Sequence, residues 1–329
     1  MTASFAPDGT SLLTGSSEGY LTEWASSTGA RTRVLLDPEG QEDDRPEVVC
    51  SQNGVEVEAP FALVRLSEQM RGSSITCVRF APDGEYFLVG AANGVVVLWN
   101  AESRGELYAW EAHGDRVDAL AMSADDHWIA TGSDEEGGTA LRVWRTGTGR
   151  GGPPGVEVTE AFSDGSHSGG VSSVTFSPDN RFVAAGGFTM SGYTRPLIYD
   201  LESGHRVDGL HWDLTRSLHY SPDGRLLATG GDDGSVKLWD LASRALTFEV
   251  SAHARPVGTV AFSADGRRLV SGAWDGTVKI WDVASRQLVG EFSYDGIVVA
   301  GQLSPDGLTL DVAEKPEGAD RPRIHRLGL

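Results

Sequence analysis

Histidine, carboxylate and thiol side chains are the groups in this chain with the types to do chemistry, and of these the histidines recur most regularly. His113, His167, His211 and His253 each stand nine residues before an apolar residue that opens a repeated phrase. A histidine held beside an aspartate is the core of a general-base dyad, and carboxylates converging from several segments can act as acid and base. The carboxylates with a fixed place in the repeat, Asp83, Asp223 and Asp265, sit in β-turn sequences, where an Asp side chain bonds its own backbone. Cys50 and Cys77 are the only cysteines, with no CxxC and no histidine cluster at ligand spacing, so neither a disulfide framework nor a zinc centre is expected. No cofactor or metal is expected. There is no Walker phosphate loop, no GxSxG elbow and no HExxH. Gly-rich stretches such as Gly149 to Gly155 read as loops rather than as helix openings.

The repeated phrase defines the elements that must position these groups. It reads FAPDG at 5–9 and 80–84, FSPDN at 176–180, YSPDG at 220–224 and FSADG at 262–266, with weaker copies at 122–126 and 303–307. Asp and Gly tolerate the conformations of a tight turn, so seven copies predict seven similar hairpins. Nineteen positions separate the opening residue from a later aromatic in four copies: Phe5 to Trp24, Phe80 to Trp99, Tyr220 to Trp239 and Phe262 to Trp281. Met122 reaches Trp144 and Leu303 reaches His325 in twenty-two, and Phe176 reaches Tyr199 in twenty-three, which predicts an enlarged turn in those units. Leu226 to Thr229 and Ser235 to Trp239 flank an Asp-Asp-Gly turn, and Leu246 to Val250 follows another turn. Four short β-rich runs per unit cannot bury their apolar faces alone. Packed face to face around an axis they make a propeller.

On these residues the chain resembles the WD-repeat β-propeller family. Trp239-Asp240 and Trp281-Asp282 carry the resemblance, with the near-copies Trp99-Asn100 and Tyr199-Asp200 and the spaced histidines. The fold implied is an all-β, seven-bladed propeller of four-stranded antiparallel blades. The resemblance also implies an internal tetrad in which a His, a Ser or Thr, an Asp and the Trp form a hydrogen-bonded chain. His211, Thr229, Asp233 and Trp239 match it, as do His253, Ser271, Asp275 and Trp281. The third unit offers His113, Thr131, Asp134 and Trp144, with Asp134 in a long turn. The second unit departs from it with Arg71, Val89 and Asn93, the fourth with Ala185 and Tyr199, and the seventh with Tyr294, Val312 and His325. Apolar packing is expected to hold those blades, and replacing His325 is expected to cost less than replacing His253. Buried polar groups that satisfy one another are the simpler reading of each tetrad than a catalytic dyad.

The units read as residues 1–37, 73–110, 111–162, 163–209, 210–250, 251–292 and 293–329 of a single domain, with an insertion at 38–72. The insertion opens as an acidic, turn-rich loop, and Val48 to Val57 then alternates around Gln52-Asn53-Gly54 as a hairpin or a decayed eighth unit. A net charge of -20, from 47 acids against 27 bases, argues against a nucleic-acid backbone or an anionic membrane as main partner. Lacking a signal sequence or a spanning apolar run, the chain reads as cytoplasmic with reduced thiols.

The function expected is a non-catalytic protein-protein interaction platform that scaffolds or regulates a complex. A regulatory part of a larger kinase or NTPase protein, or a propeller enzyme with a channel site, are the alternatives. His-bearing loops and the turns between second and third strands should open on one face, with the PDG turns on the other. On the first face Trp212, Arg255 and Trp274 lie beside tetrad positions, and Phe188, Tyr193 and Arg195 come from a long turn. Together they form a candidate partner-binding patch, unless the two Trp rings only cover their own blades. Only Met1 and Thr2 precede the first inner strand, and Arg321 to Leu327 fits a third strand. A three-stranded last blade is therefore expected, in a chain that reads as part of a longer polypeptide.

Overall fold

The structure is a computed structural model that describes residues 2–25, 31–36, 70, 72–103, 105–134, 139–147, 158–164, 170–187, 196–207, 215–303, 309–316 and 323–328. These residues form seven antiparallel sheets, six of four strands and a last one of three. The sheets span residues 2–36, 75–111, 117–164, 171–207, 215–251, 257–293 and 297–328. The first strand of each sheet packs on the first strand of the next, and Ile297–Leu303 of the seventh returns to Thr2–Phe5 of the first. The seven first strands therefore surround the axis of a closed ring, and the sheets are its blades. In the last blade the edge is Arg323–Gly328. Of the insertion expected at 38–72, only Met70 and Gly72 are among the described residues, and Met70 is buried with Leu13 and Leu21 of the first blade.

Each repeated phrase makes the first hairpin of its blade. In the sixth, Phe262 pairs with Leu269, and between them Asp265 accepts the Ser263 hydroxyl at 2.6 Å and the Arg267 amide at 2.9 Å. The Ser263 hydroxyl and the Arg267 amide hold the Asp265 carboxyl below its ordinary value. Gly266 takes the left-handed conformation that closes the turn, with φ at +70°. Asn180 and Asp126 occupy the same place with φ at +55° and +61°, which short polar side chains tolerate. The phrase is thus a turn with built-in side-chain bonds.

A second local rule sets the blade interiors. Alternate side chains point to opposite faces of a strand, so each blade presents apolar residues to both neighbours. Cys77, Leu88, Val96 and Leu98 of the second blade pack with Leu120 and Met122 of the third. Ala3, Phe5, Leu12 and Trp24 of the first pack with Ala300 and Ala313 of the seventh. A bulge recurs in the inner strand, at Ile75/Cys77, Val171/Ser173, Thr215/Ser217, Val257/Thr259 and Val298/Ala300. Each leaves one residue unpaired and re-aimed. In the fifth and sixth blades those residues are Arg216 and Gly258.

Candidate functional site

The sixth blade carries the most complete polar chain. Trp281 Nε1 lies 3.0 Å from Ser271 Oγ, which lies 2.8 Å from His253 Nε2. On the far side of the imidazole, Nδ1 lies 2.7 Å from Thr277 Oγ1, which lies 2.6 Å from Asp275 Oδ1. An indole N–H can only donate and a carboxylate can only accept. Thr277 therefore donates to Asp275 and accepts from His253 Nδ1, and with the imidazole neutral Ser271, which accepts from Trp281, donates to His253 Nε2. The imidazole is neutral, and burial holds its pKa below the ordinary value against the pull of Asp275. Burial also opposes the Asp275 charge, but the Thr277 hydroxyl and amide and the Ala254 amide outweigh it and hold that carboxyl low.

Serine, histidine and aspartate in this order have the composition of a hydrolase triad. The environment does not suit one, because Ser271 is 0% exposed and its oxygen is occupied by the Trp281 indole. No substrate carbonyl can approach it. Parts of the same chain recur elsewhere: Trp144 Nε1 to Thr131 at 3.0 Å and Thr131 to His113 Nε2 at 2.8 Å, Trp239 Nε1 to Thr229 at 3.1 Å, and Trp24 Nε1 to Thr14 at 2.8 Å. Burial, reinforced by the Arg142 charge, pushes His113 down to about 4. Asp233 accepts the Ser235 amide at 2.9 Å; its expected partner His211 lies outside the described residues.

Asp134 Oδ1 is buried and has no hydrogen-bond partner among the described residues. It bears on Asp118, which burial pushes up to about 6 with Asp134 and Asp115 adding to the effect, although Arg116 stands 2.6 Å away. The seventh blade packs Val298, Leu310 and Val312 against the sixth, the apolar packing expected of it, and adds polar pairs to it. His325 Nε2 lies 2.8 Å from Glu314, which is 1% exposed, and Arg326 binds Asp311 through two contacts of 2.6 Å. In the second blade Val89 replaces the hydroxyl residue, and Trp99 stacks on Phe87 at 5.7 Å with a buried indole N–H that has no partner among the described residues.

The histidine loops and the turns between second and third strands meet on one end of the ring. The Gly234 carbonyl of the fifth blade accepts the Ala252 and His253 amides leading into the sixth. On this end Trp274 is 38% exposed. Its amide donates to the Pro256 carbonyl at 3.0 Å. The Arg216 guanidinium of the neighbouring blade lies 4.6 Å over its ring, and the same Arg216 pairs with Asp232. Gly258 leaves room for the indole, because a Cβ there would stand 3.1 Å from Trp274 Nε1. The two bulge residues therefore frame the tryptophan. Arg255 is exposed two residues past His253. The other expected patch residues, Trp212, Phe188, Tyr193 and Arg195, lie outside the described residues. Sequence reading missed Arg216, since a bulge is visible only once strands are paired. It also missed Thr14 and Thr277, although Thr14 stands ten before Trp24, as Ser271 does before Trp281.

A closed ring of seven antiparallel blades, four tied inside by Trp–hydroxyl bonds that in two blades continue to a His among the described residues, defines the protein as a β-propeller. The model of the WD domain, G-beta repeat matches residues 65–100, 105–144, 161–193, 201–240 and 244–282, more than half of the chain, and the chain belongs to that family. It is similar to autophagy-related protein 18 of Meyerozyma guilliermondii, 36% identical over 90 residues that cover 27% of this chain and 14% of that protein. Protein HIR1 of Yarrowia lipolytica is 23% identical over 197 residues, covering 54% of this chain and 17% of its own. Pre-mRNA-processing factor 19 homolog 2 of Arabidopsis thaliana is 24% identical over 82 residues, 25% of this chain and 15% of that protein. The chain spans about a sixth of the length of these relatives. Among the described residues no helix is long and apolar enough to cross a membrane.

Proposed function

We propose that the chain is a non-catalytic platform that binds segments of other proteins on the face where the histidine-bearing loops open. The observation that carries this reading is Trp274, a half-exposed indole held between Arg216 and Gly258 with Arg255 close by in sequence. Trp and Arg bury large area and keep a polar handle, and they dominate binding energy at interfaces. The Arg216 guanidinium over the indole comes from the preceding blade, so the patch draws on two blades. Loops from several blades on a rigid ring offer a partner several contacts at once. The charge of -20 disfavours nucleic acid or an anionic membrane in that role. The relatives' names, one from autophagy and one from pre-mRNA processing, come from different processes, and a shared fold does not name the partner. Cys77, a buried free thiol, suits the reducing cytoplasm we assign to the chain.

The test begins with recovery of a stoichiometric protein partner by affinity capture. Trp274→Ala and Arg255→Ala should then each weaken binding by ~1–3 kcal/mol with unchanged melting temperature. Unchanged affinity in both, or affinity lost only together with folding, would move the interface to another face. Turnover of an ester or sugar library would contradict the non-catalytic reading.

A further inference from the structure

Arg79 is a cation on an inner strand with no counterpart among the described residues. The residue before the opening residue of each repeat holds the same register on the inner strand: Ser4, Arg79, Ala121, Thr175, His219, Ala261 and Gln302 pair with Leu13, Leu88, Ala130, Ala184, Ala228, Val270 and Asp311. Two of them show what a side chain does here. Ser4 Oγ accepts the Phe80 amide at 3.2 Å and His219 Nδ1 accepts the Phe262 amide at 3.4 Å, so each bridges the seam to the next inner strand. Arg79 cannot follow, because a guanidinium has donors only. It is exposed and makes no hydrogen bond or ion pair among the described residues.

Its charge is felt on the far side of the ring. His219 lies three blades on from Arg79 in a ring of seven, as distant as two blades can be. Burial and then the Arg79 charge push its imidazole down to about 4. The inner strands beside His219 offer Ser173, Thr175, Ala261 and Phe262, none of which titrates. Cys77, the one titratable neighbour that bears on Arg79, is a thiol pushed up to about 12 and therefore neutral. Arg79 is exposed although its inner strand packs on the inner strands of both neighbouring blades, so its side chain opens into the channel that the seven inner strands surround, and its effect on His219 agrees with that placement; Ser4, Ala121, Thr175 and Ala261 at the same level are short.

We propose that the central channel binds one small oxyanion, a carboxylate or a phosphate group, on the Arg79 guanidinium facing His219. The planar fork of Arg matches both groups with paired hydrogen bonds. A chain of net charge -20 repels anions at long range, so an anion that binds reports a local site rather than general attraction. This site is independent of the partner-binding face.

Sodium phosphate and, separately, sodium acetate titrated at constant ionic strength test it, read by the His219 NMR signals as assigned with His219→Gln. The expected result is a saturating shift with at least one anion. The His219 pKa should rise by about one unit, because the anion offsets the cation that depresses it. Arg79→Gln should abolish saturation and raise that pKa without any anion. Arg79→Lys, a point charge without the fork, should bind several-fold more weakly. The anion that saturates distinguishes a phosphate from a carboxylate site. If neither saturates the unaltered protein by about 20 mM, well past a millimolar dissociation constant, the proposal fails whatever the variants do. It also fails if Arg79→Gln binds as well as the unaltered protein.

Discussion

His253 is bonded through both ring nitrogens, and the direction of every proton around it follows from an Asp that only accepts, a Trp that only donates and an imidazole that burial keeps neutral. Removing it orphans the Ser271 hydroxyl, and a buried unsatisfied polar group costs about 1–3 kcal/mol. His253→Ala should therefore lower the unfolding free energy by that amount in urea titrations without opening a new activity. A stable variant that lost a measured turnover would reverse the assignment. His325 stands where Trp is expected, and from sequence its replacement should cost less than that of His253, but its imidazole is bonded to the almost fully buried Glu314. His325→Ala should thus cost as much as His253→Ala, and a markedly smaller loss would mean that Glu314 finds another partner. The histidine, hydroxyl and tryptophan positions were legible because they recur at fixed intervals. Thr277 was not, since nothing in a lone Asp-Gly-Thr says that its hydroxyl will stand between an aspartate and a histidine.

At the scale of elements, the turns carry the geometry. The Asp-Gly turn of the sixth blade holds Gly276 at φ +80°, and a Cβ there would fall 2.3 Å from the Tyr294 carbonyl of the next loop. Gly276→Ala would both strain the backbone and push the blades apart, so a loss of more than about 1 kcal/mol is expected in chemical denaturation. A neutral result would mean that the loop at Tyr294 yields freely. The PDG hairpins were readable because Ser, Asp and Gly supply the bonds and the left-handed residue from within the phrase itself. The inner-strand bulge was not, because it depends on the register against a second strand, and with it went Arg216. Closure of the ring was legible only in part. The three-stranded last blade follows from strand counting, whereas the contact from Arg326 to the Gly9 carbonyl at 2.6 Å joins residues 317 positions apart that no local pattern links.

The whole ring holds several histidines neutral inside it, and that makes its stability depend on pH. His113 and His219 have folded pKa values of about 4, below the ordinary 6.5, and His253 is shifted in the same direction. Between about pH 6.5 and 4 the unfolded chain therefore binds more protons at these sites, and stability falls as pH falls. The expected loss from pH 7 to 5 is about 2 kcal/mol for each of His113 and His219. Asp118, raised to about 6, takes up a proton in the folded state and offsets about 1 kcal/mol over the same range. Urea midpoints measured at pH 7 and 5 should show the net decline, and a flat profile would mean that these imidazoles are hydrated. A ring stabilised inside by such fixed bonds leaves its loops free to vary, and the end that carries Trp274 is the face we propose for a partner. Hydrogen exchange of the partner complex tests this most directly. Protection of the segments around Arg255 and Trp274, with the PDG turns unchanged, is the result this account expects. Protection confined to the PDG turns on the opposite face would contradict it.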